Sequence, residues 1–387
     1  MLLYIYKEVI SLKQDNKEML RNLIIELSNT EPDFKFVLGS KIIETILFKY
    51  DVDEECYKVD KDLFNAMKML HMDFEGVSFK NVDISKLDFT MLKNVCINPQ
   101  EVYEKNLNEC VFTDVTFTGS FDDTYIVEAD FTDSINAKID PQTLKEQDLT
   151  GAILCSVKFI GLFDDAVITG ADFMGSINAK IDPQTIFNKD LSMCVFTDVE
   201  FIGDFDEVNI QNSCFMGSEG AVIDPQAVFG KDLSYCELMD ATIDGEFDGV
   251  KIYRCNFMGA KGSINIDPEE IEEQDLSYTV LSGVNFIGNF TNATIVGANF
   301  RGSTNAVINP QEISDRMLNE CVFDGVTFIG PFDKCRITNS SFKGSTGAVI
   351  NINTIDGRVG DKADLTDASF KLGFPKNYEN EDYEKRR

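Results

Sequence analysis

The chain has no tryptophan and one histidine, His71, among its 387 residues. One histidine leaves no confident Ser/His/Asp set and no histidine-based metal cluster. Ten cysteines are present, but no Cys-x-x-Cys pair occurs. That excludes a zinc ribbon or a dithiol redox motif and points to reduced, packed thiols in a reducing, cytoplasmic setting. No run of about 18 apolar residues exists, so no membrane span is expected. The opening stretch MLLYIYKEVISLK lacks a basic n-region and does not read as a signal peptide. No phosphate-binding glycine loop and no EF-hand loop is recognisable, and no cofactor is expected. Basic residues are scarce: 35 Lys and Arg stand against 66 Asp and Glu, a net charge of −31. Such a balance disfavours direct contact with nucleic acid or anionic membrane and favours basic partners or weakly held cations.

Proline is also rare, at 9 residues, yet six of them are periodic. Pro99, Pro141, Pro183, Pro225, Pro268 and Pro310 are separated by 42, 42, 42, 43 and 42 residues. A fixed period of this length marks a stacked repeat in which each unit contacts only its neighbours. One unit should not fold alone.

Large apolar residues carry the unit. In one copy they are Leu107, Phe112, Phe117, Phe121, Ile126, Phe131, Ile139 and Leu144. Further copies repeat the ladder with Phe159, Phe163 and Phe173, and then with Phe196, Phe201, Phe205 and Phe215. Most steps are five residues, which suits neither the 3.6-residue helix nor the two-residue strand period. It suits a chain that turns a corner every five residues and sends one large side chain inward per side. Eight such residues make two four-sided coils. Two residues before each large one stands a small residue, as with Cys110, Val115, Gly119, Thr124, Ala129 and Ala137, expected to point inward near a corner. Cys110, Cys194, Cys236 and Cys321 share one position with Ala152 and Thr279, so that site asks for a small side chain. The residue just before the large one is often Asp or Asn and should face out.

Ala129-Asp130-Phe131-Thr132-Asp133, Ala171-Asp172-Phe173-Met174-Gly175, Ala298-Asn299-Phe300-Arg301-Gly302 and Ala363-Asp364-Leu365-Thr366-Asp367 follow one rule, A-(D/N)-(L/F)-x-x. By this rule the chain resembles the pentapeptide-repeat proteins. The resemblance implies a mainly β fold, a right-handed four-sided β-helix with a Phe/Leu ladder inside. Two features depart from that pattern. The stretch between Phe131 and Ile139 is three residues too long and should bulge as a corner loop. The Asp-Pro-Gln segment, with Gln142 and Gln147 where small residues belong, suggests a single Pro-led helical turn on one side of every second coil. Leu144, Ile186 and Ile271 should still dock inward from it.

Residues 1–72 read as a small α-helical domain, with helices expected over 17–29, 34–50 and 59–72. Its simplest role is to cap the first coil. A dimer or partner interface is the alternative, including a homodimer through this end. The β-helix is expected over 73–374 and a charged tail over 375–387.

No catalytic or metal-binding residue stands out. The one pattern beyond the core is acidic. Asp122, Asp164, Asp206, Asp248 and Asp333 follow the fourth inward residue of their units, with Thr291 breaking the series. Asp148, Asp190, Asp232 and Asp275 precede the first inward Leu. Members of a column recur every second coil, about 10 Å apart. Turn chemistry copied by repetition is one account of them, since Asp favours turns and caps. The other is an interaction surface. The expected function is therefore a non-enzymatic scaffold, an acidic rod binding a basic protein partner. The family resemblance adds an alternative: some pentapeptide-repeat proteins mimic DNA, bind gyrase and confer quinolone resistance. A metal-dependent binder using the Asp columns is the third expectation, disfavoured because hard cations need six or more oxygens in a close cage.

Overall fold

The computed structural model describes residues 3–5, 14–30, 36–351, 354–355 and 363–370; the acidic stretch and closing basic residues after Pro375 lie outside them. The chain divides into two compact units, Met1–Gly203 with Gly217–Glu219, and Asp204–Met216 with Gly220–Arg387.

The first unit opens with helices and strands interleaved. β1 (Leu3–Ile5) pairs in parallel with β2 (Phe36–Leu38), and α1 (Gln14–Thr30) lies between them in sequence. On α1, Ile24 is buried, whereas Met19 and Leu23 are exposed. The expected single helix over 34–50 is not formed. Gly39 is extended and breaks it, leaving β2, a short α2 (Ser40–Leu47) and β3 (Phe48–Asp51). Aromatic residues at the end of that stretch favour the pleated surface over another helical turn. β3 forms an antiparallel hairpin with β4 (Cys56–Val59), and β4 pairs in parallel with β5 (Val82–Asp83) of the first coil. The hairpin thus covers backbone that would otherwise be an open sheet edge.

α3 (Lys61–Met69) is capped by Asp60, whose Oδ1 accepts from the Leu63 N–H at 3.0 Å. Arg21 of α1 donates to the other carboxylate oxygen at 2.5 Å. Burial works against the Asp60 charge, but the Arg21 bond and the Leu63 N–H hold its pKa below the usual carboxylate range. From α3, Phe64 packs edge-to-face on Phe74 and Phe89, with ring centroids 6.2 and 5.4 Å away.

Coils then follow. In the first unit Leu107, Phe112, Phe117 and Phe121 line one coil, and Ile126, Phe131, Ile139 and Leu144 the next; all are buried. Parallel bridges join Asn106 to Tyr125, Val111 to Asp130 and Thr116 to Ile135, giving ladders on three sides. The fourth side is held by Asp123 N–H to Thr143 C=O at 2.6 Å and Lys145 N–H to Thr124 C=O at 3.0 Å. Phe rings stack between coils, as with Phe89–Phe112 (5.8 Å, 12°) and Phe173–Phe196 (6.0 Å, 17°).

The five-residue rule has a local cause, clear in the second unit. Most buried large residues open a β-turn: Cys236 N–H bonds to Leu233 C=O and Ala241 N–H to Leu238 C=O, both at 3.1 Å, whereas Ile243, four residues before Phe247, opens none. The residue two after the large one sits at positive φ, as with Tyr235 (64°) and Asp240 (70°). The next residue, here Cys236 or Ala241, is small and buried. Leu233, Leu238, Ile243, Phe247, Ile252, Phe257, Ile266 and Ile271 are all buried and complete two coils of this unit. The 43-residue step between Pro225 and Pro268 is absorbed in a corner, where Lys261–Gly262 adds a strand to Thr242–Ile243. Gly262 lies at φ 95°, and a Cβ there would meet the Ile243 carbonyl oxygen at 2.2 Å. The architecture is a β-solenoid of four-sided coils preceded by a helix-bearing region.

The Pro-led helical turn takes a different form from the one expected. Pro141–Thr143 is a 3-10 turn, and Lys145–Gln147 is a second one with Glu146 at φ 57°. Leu144, Ile186 and Ile271 nonetheless dock inward.

Candidate functional site

The acidic positions are built by turns. At many corners where Asp or Asn precedes a buried residue, its Oδ1 accepts the backbone N–H two residues on. Asp148 accepts from Thr150 (2.9 Å), Asp190 from Ser192 (3.1 Å), Asp232 from Ser234 and Asp275 from Ser277 (both 2.8 Å). Asp130, Asp172, Asn256 and Asn299 do the same. These side chains are half-buried. Some second oxygens are also engaged: Thr169 donates to Asp190 Oδ2 at 3.1 Å, and Gln211 to Asp232 Oδ2 at 2.6 Å. The column Asp148, Asp190, Asp232 and Asp275 therefore closes turns of the coil.

The Asx residues before the prolines work alike and reveal a feature that the sequence reading missed. Asn98, Asp140, Asp182, Asp224, Asp267 and Asn309 each accept from the N–H two residues on. One coil later, a glycine packs against each of these side chains. A Cβ on Gly119 would lie 2.0 Å from Asn98 Oδ1, on Gly161 2.0 Å from Asp140 Oδ1, and on Gly203 2.1 Å from Asp182 Oδ1. In the second unit Gly245, Gly288 and Gly330 repeat this at 2.2, 1.9 and 2.1 Å. Gly119 was expected inward; instead its missing side chain leaves room for the Asx group, and the residue is half-exposed. Gln142 and its equivalents, read as misfits in the core, point along the surface: Gln100, Gln226 and Gln311 donate to the carbonyls of Asp122, Asp248 and Asp333 at 2.7, 2.6 and 2.9 Å.

The column Asp122, Asp164, Asp206, Asp248 and Asp333 sits at the corner those glutamines hold. Asp164 is half-buried and the other four are exposed. In the first unit the neighbour of Asp122, Asp123, is flanked by Lys145 (3.4 Å) and Lys105 (3.5 Å), and Lys145 leads in holding its carboxyl below the usual range. In the second unit Glu272 stands where Lys145 does. There Glu246, Asp248, Asp267 and Glu270 surround a cavity of about 370 Å³, completed by Gly245, Phe247, Asn265 and Ile287. None of these four carboxylates forms an ion pair with lysine or arginine among the described residues. A hydrogen bond with Asp248, followed by Asp248's charge, raises the Glu270 carboxyl above its ordinary value.

The shared cysteine position is a donor site. Cys110, Cys194, Cys236 and Cys321 each point Sγ at a carbonyl oxygen 2.9 Å away, and Thr279 does so with its hydroxyl at 2.8 Å. Burial pushes each of the four thiols up to about 12. They are neutral hydrogen-bond donors and are inert as nucleophiles. Among the described residues no group of three His, Cys, Asp or Glu side chains is placed to hold a metal ion. Nor is any described helix long and apolar enough to cross a membrane.

No protein-family model and no curated protein matches the chain. Several solved structures align with it, two of which illustrate the likeness. One is HetL, a pentapeptide repeat protein involved in heterocyst differentiation regulation from the cyanobacterium Nostoc, at 14% identity over 81% of this chain and 96% of that one. The other is a trypsin-treated form of QnrB1, a plasmid-mediated fluoroquinolone resistance protein, at 13% identity over 74% and 89%. Both superpose with a TM-score of 0.16, so the assignment rests on this chain's own coils. Five-residue sides, an inward Phe, Leu or Ile on most of them, Asx residues closing many turns and parallel ladders between coils give the four-sided β-solenoid that the resemblance to pentapeptide-repeat proteins implies.

Proposed function

We propose that the chain is a non-enzymatic interaction scaffold whose exposed carboxylates bind a basic protein partner. The observation that carries this reading is the concavity around Asp248. Four carboxylates converge there with no described lysine or arginine paired to them, and Asp248 raises the Glu270 carboxyl. An external cation from a partner would relieve that repulsion, and the attraction would weaken as salt screens it over about 10 Å at 0.1 M. The reading locates the protein in the cytoplasm, in keeping with its free thiols.

The test is capture of basic proteins from a bacterial lysate across a salt series. The wild-type chain is compared with a variant carrying Glu246→Gln, Asp248→Asn and Glu270→Gln. Salt-labile capture that the variant loses supports the scaffold, and equal capture by both overturns the assignment to this concavity. A gyrase supercoiling assay beside it decides the DNA-mimic role: protection or inhibition would assign it, and no effect at large excess would remove it. A calcium titration that raises the melting temperature would revive a metal-dependent role.

A further inference from the structure

Repetition explains most of the acidic surface, but it does not explain Tyr235, Tyr253, Arg254 and Tyr278. In the other complete copies, Glu109, Gly151, Met193 and Glu320 stand at the position of Tyr235 and Tyr278, and Glu128, Gly170, Asn212, Gly297 and Asn339 at that of Arg254, none of them aromatic or basic. These are corner positions with positive φ: Tyr235 at 64°, Arg254 at 57° and Tyr278 at 58°. Gly and Asn accept that backbone readily, whereas bulky side chains are strained there. Three strained side chains nevertheless meet in one cluster. The Arg254 guanidinium lies 4.8, 5.4 and 5.7 Å from the ring centres of Tyr278, Tyr253 and Tyr235. Its Nε donates to the Tyr253 hydroxyl at 3.0 Å. The rings meet edge-on, Tyr235–Tyr253 at 5.5 Å and Tyr253–Tyr278 at 6.3 Å. Despite this packing, Tyr235 is 46% and Tyr278 40% exposed.

A concavity of about 290 Å³ adjoins the cluster, lined by Tyr253, Ile252, Ser234, Lys251 and the three carboxylates Glu272, Glu273 and Asp275. We propose that this Tyr–Arg face and its acidic concavity form the docking site for a protein segment carrying lysine or arginine beside an aromatic residue. The inference rests on the basic-partner reading above and gives it a specific address. Exposed tyrosines with a pinned arginine have the composition of interface hot spots. The charge of Arg254 is already met by three π faces, and the carboxylates of the concavity outnumber its one lysine. A basic side chain fits the concavity and an aromatic one fits the exposed rings, whereas an acidic segment would meet like charge.

The probe is the synthetic tetrapeptide acetyl-Lys-Phe-Arg-Phe-amide, with acetyl-Glu-Phe-Glu-Phe-amide as its counterpart. Binding is read from ring resonances of the labelled full-length chain and from tyrosine fluorescence, which no tryptophan obscures. The basic peptide is expected to shift Tyr235, Tyr253 and Tyr278 at millimolar concentration or below, and the acidic one to leave them in place. A variant combining Tyr235→Asn and Tyr278→Asn, residues suited to positive φ, should keep or raise its thermal midpoint and lose affinity about tenfold or more. Equal binding of the two peptides, unchanged affinity in the variant, or no shift at about 5 mM would each overturn the proposal. If the tyrosine variant loses nothing while the Asp248 variant loses salt-labile capture, the scaffold reading stands and this site falls. Peptide binding at the tyrosines without salt-labile capture at Asp248 would give the reverse.

Discussion

Two copies of the unit share the backbone of two corners and differ in what they display there. In the copy beginning at Ile139, the corners at Gly151 and Gly170 lie at φ 63° and 73° and carry no side chain. Their counterparts in the copy beginning at Ile223 are Tyr235 and Arg254, at φ 64° and 57°. Much of the inward face is shared, with Leu149 and Leu233, Leu154 and Leu238, Phe163 and Phe247 all buried, while Phe159 gives way to Ile243 and Ala152 to Cys236. Similar cores under different corners show that core and display are separable. The five-residue rule decides the inside, and the positive-φ corners are free to vary outside.

The largest effect that would sharpen this separation is on the inside. Phe201 is 4% exposed, and Phe201→Ala should cost roughly 3–5 kcal/mol in urea unfolding. Glu219 stands on an exposed corner loop, and Glu219→Ala should shift stability by no more than about 0.5 kcal/mol. Equal losses at the two sites would break the distinction between core and corner.

Next comes the contact between coils. Gly161→Ala would place a Cβ 2.0 Å from Asp140 Oδ1 and should cost about 1–3 kcal/mol. Adding Asp140→Ala should recover part of that loss, a coupling of about 0.5 kcal/mol or more in a double-mutant cycle. Gly230, at φ 63° with nothing within 4 Å, offers the contrast, since an alanine there meets only backbone strain.

The buried thiols give a smaller effect that depends on pH. Cys236 goes from about 12 when folded toward its ordinary value of 9.0 when unfolded. The folded state keeps the proton longer, so the thiol's contribution is intact below pH 9 and is lost as pH rises toward 12. The slope is about 1.4 kcal/mol per pH unit for each such thiol. Stability curves of the wild type and Cys236→Ala, whose new side chain occupies the same position as Ala152, should therefore converge as pH rises above 9. Parallel curves would show that the thiol ionises without opening the coil.

The smallest expected effect lies on the display. Tyr278→Asn should leave stability unchanged or raise it by up to about 1 kcal/mol, because asparagine tolerates the left-handed backbone better. A loss larger than that, measured by thermal unfolding, would make the aromatic cluster a part of the core.

The period and the inward ladder were legible in the residues themselves, because one Phe or Leu recurs per side and a buried position tolerates few substitutes. Burial of Cys110, Ala129 and Ala137 followed from the same spacing. The mixed character of residues 34–50 was not legible, since FKFVLGSKIIETILFKY contains apolar residues at helical spacing, and the pairing of β3 with β4 overrides that pattern. Nor was the role of Gly119 and its five equivalents. A glycine two residues before a large one reads as a small core residue, and only the coil beneath it shows that an Asx side chain fills the vacant space.

By itself, then, the sequence determined that this chain winds into five-residue sides, because local turn chemistry and one apolar residue per side repeat without reference to anything distant. The tertiary structure decided what those sides meet. Asp140 faces Gly161, Cys236 donates to the Ile210 carbonyl, and Arg254 reaches Tyr235 and Tyr278, because stacking coils joins residues about twenty positions apart. No local pattern encodes that distance, which comes from the length of a closed coil and from the extra residues a corner loop absorbs.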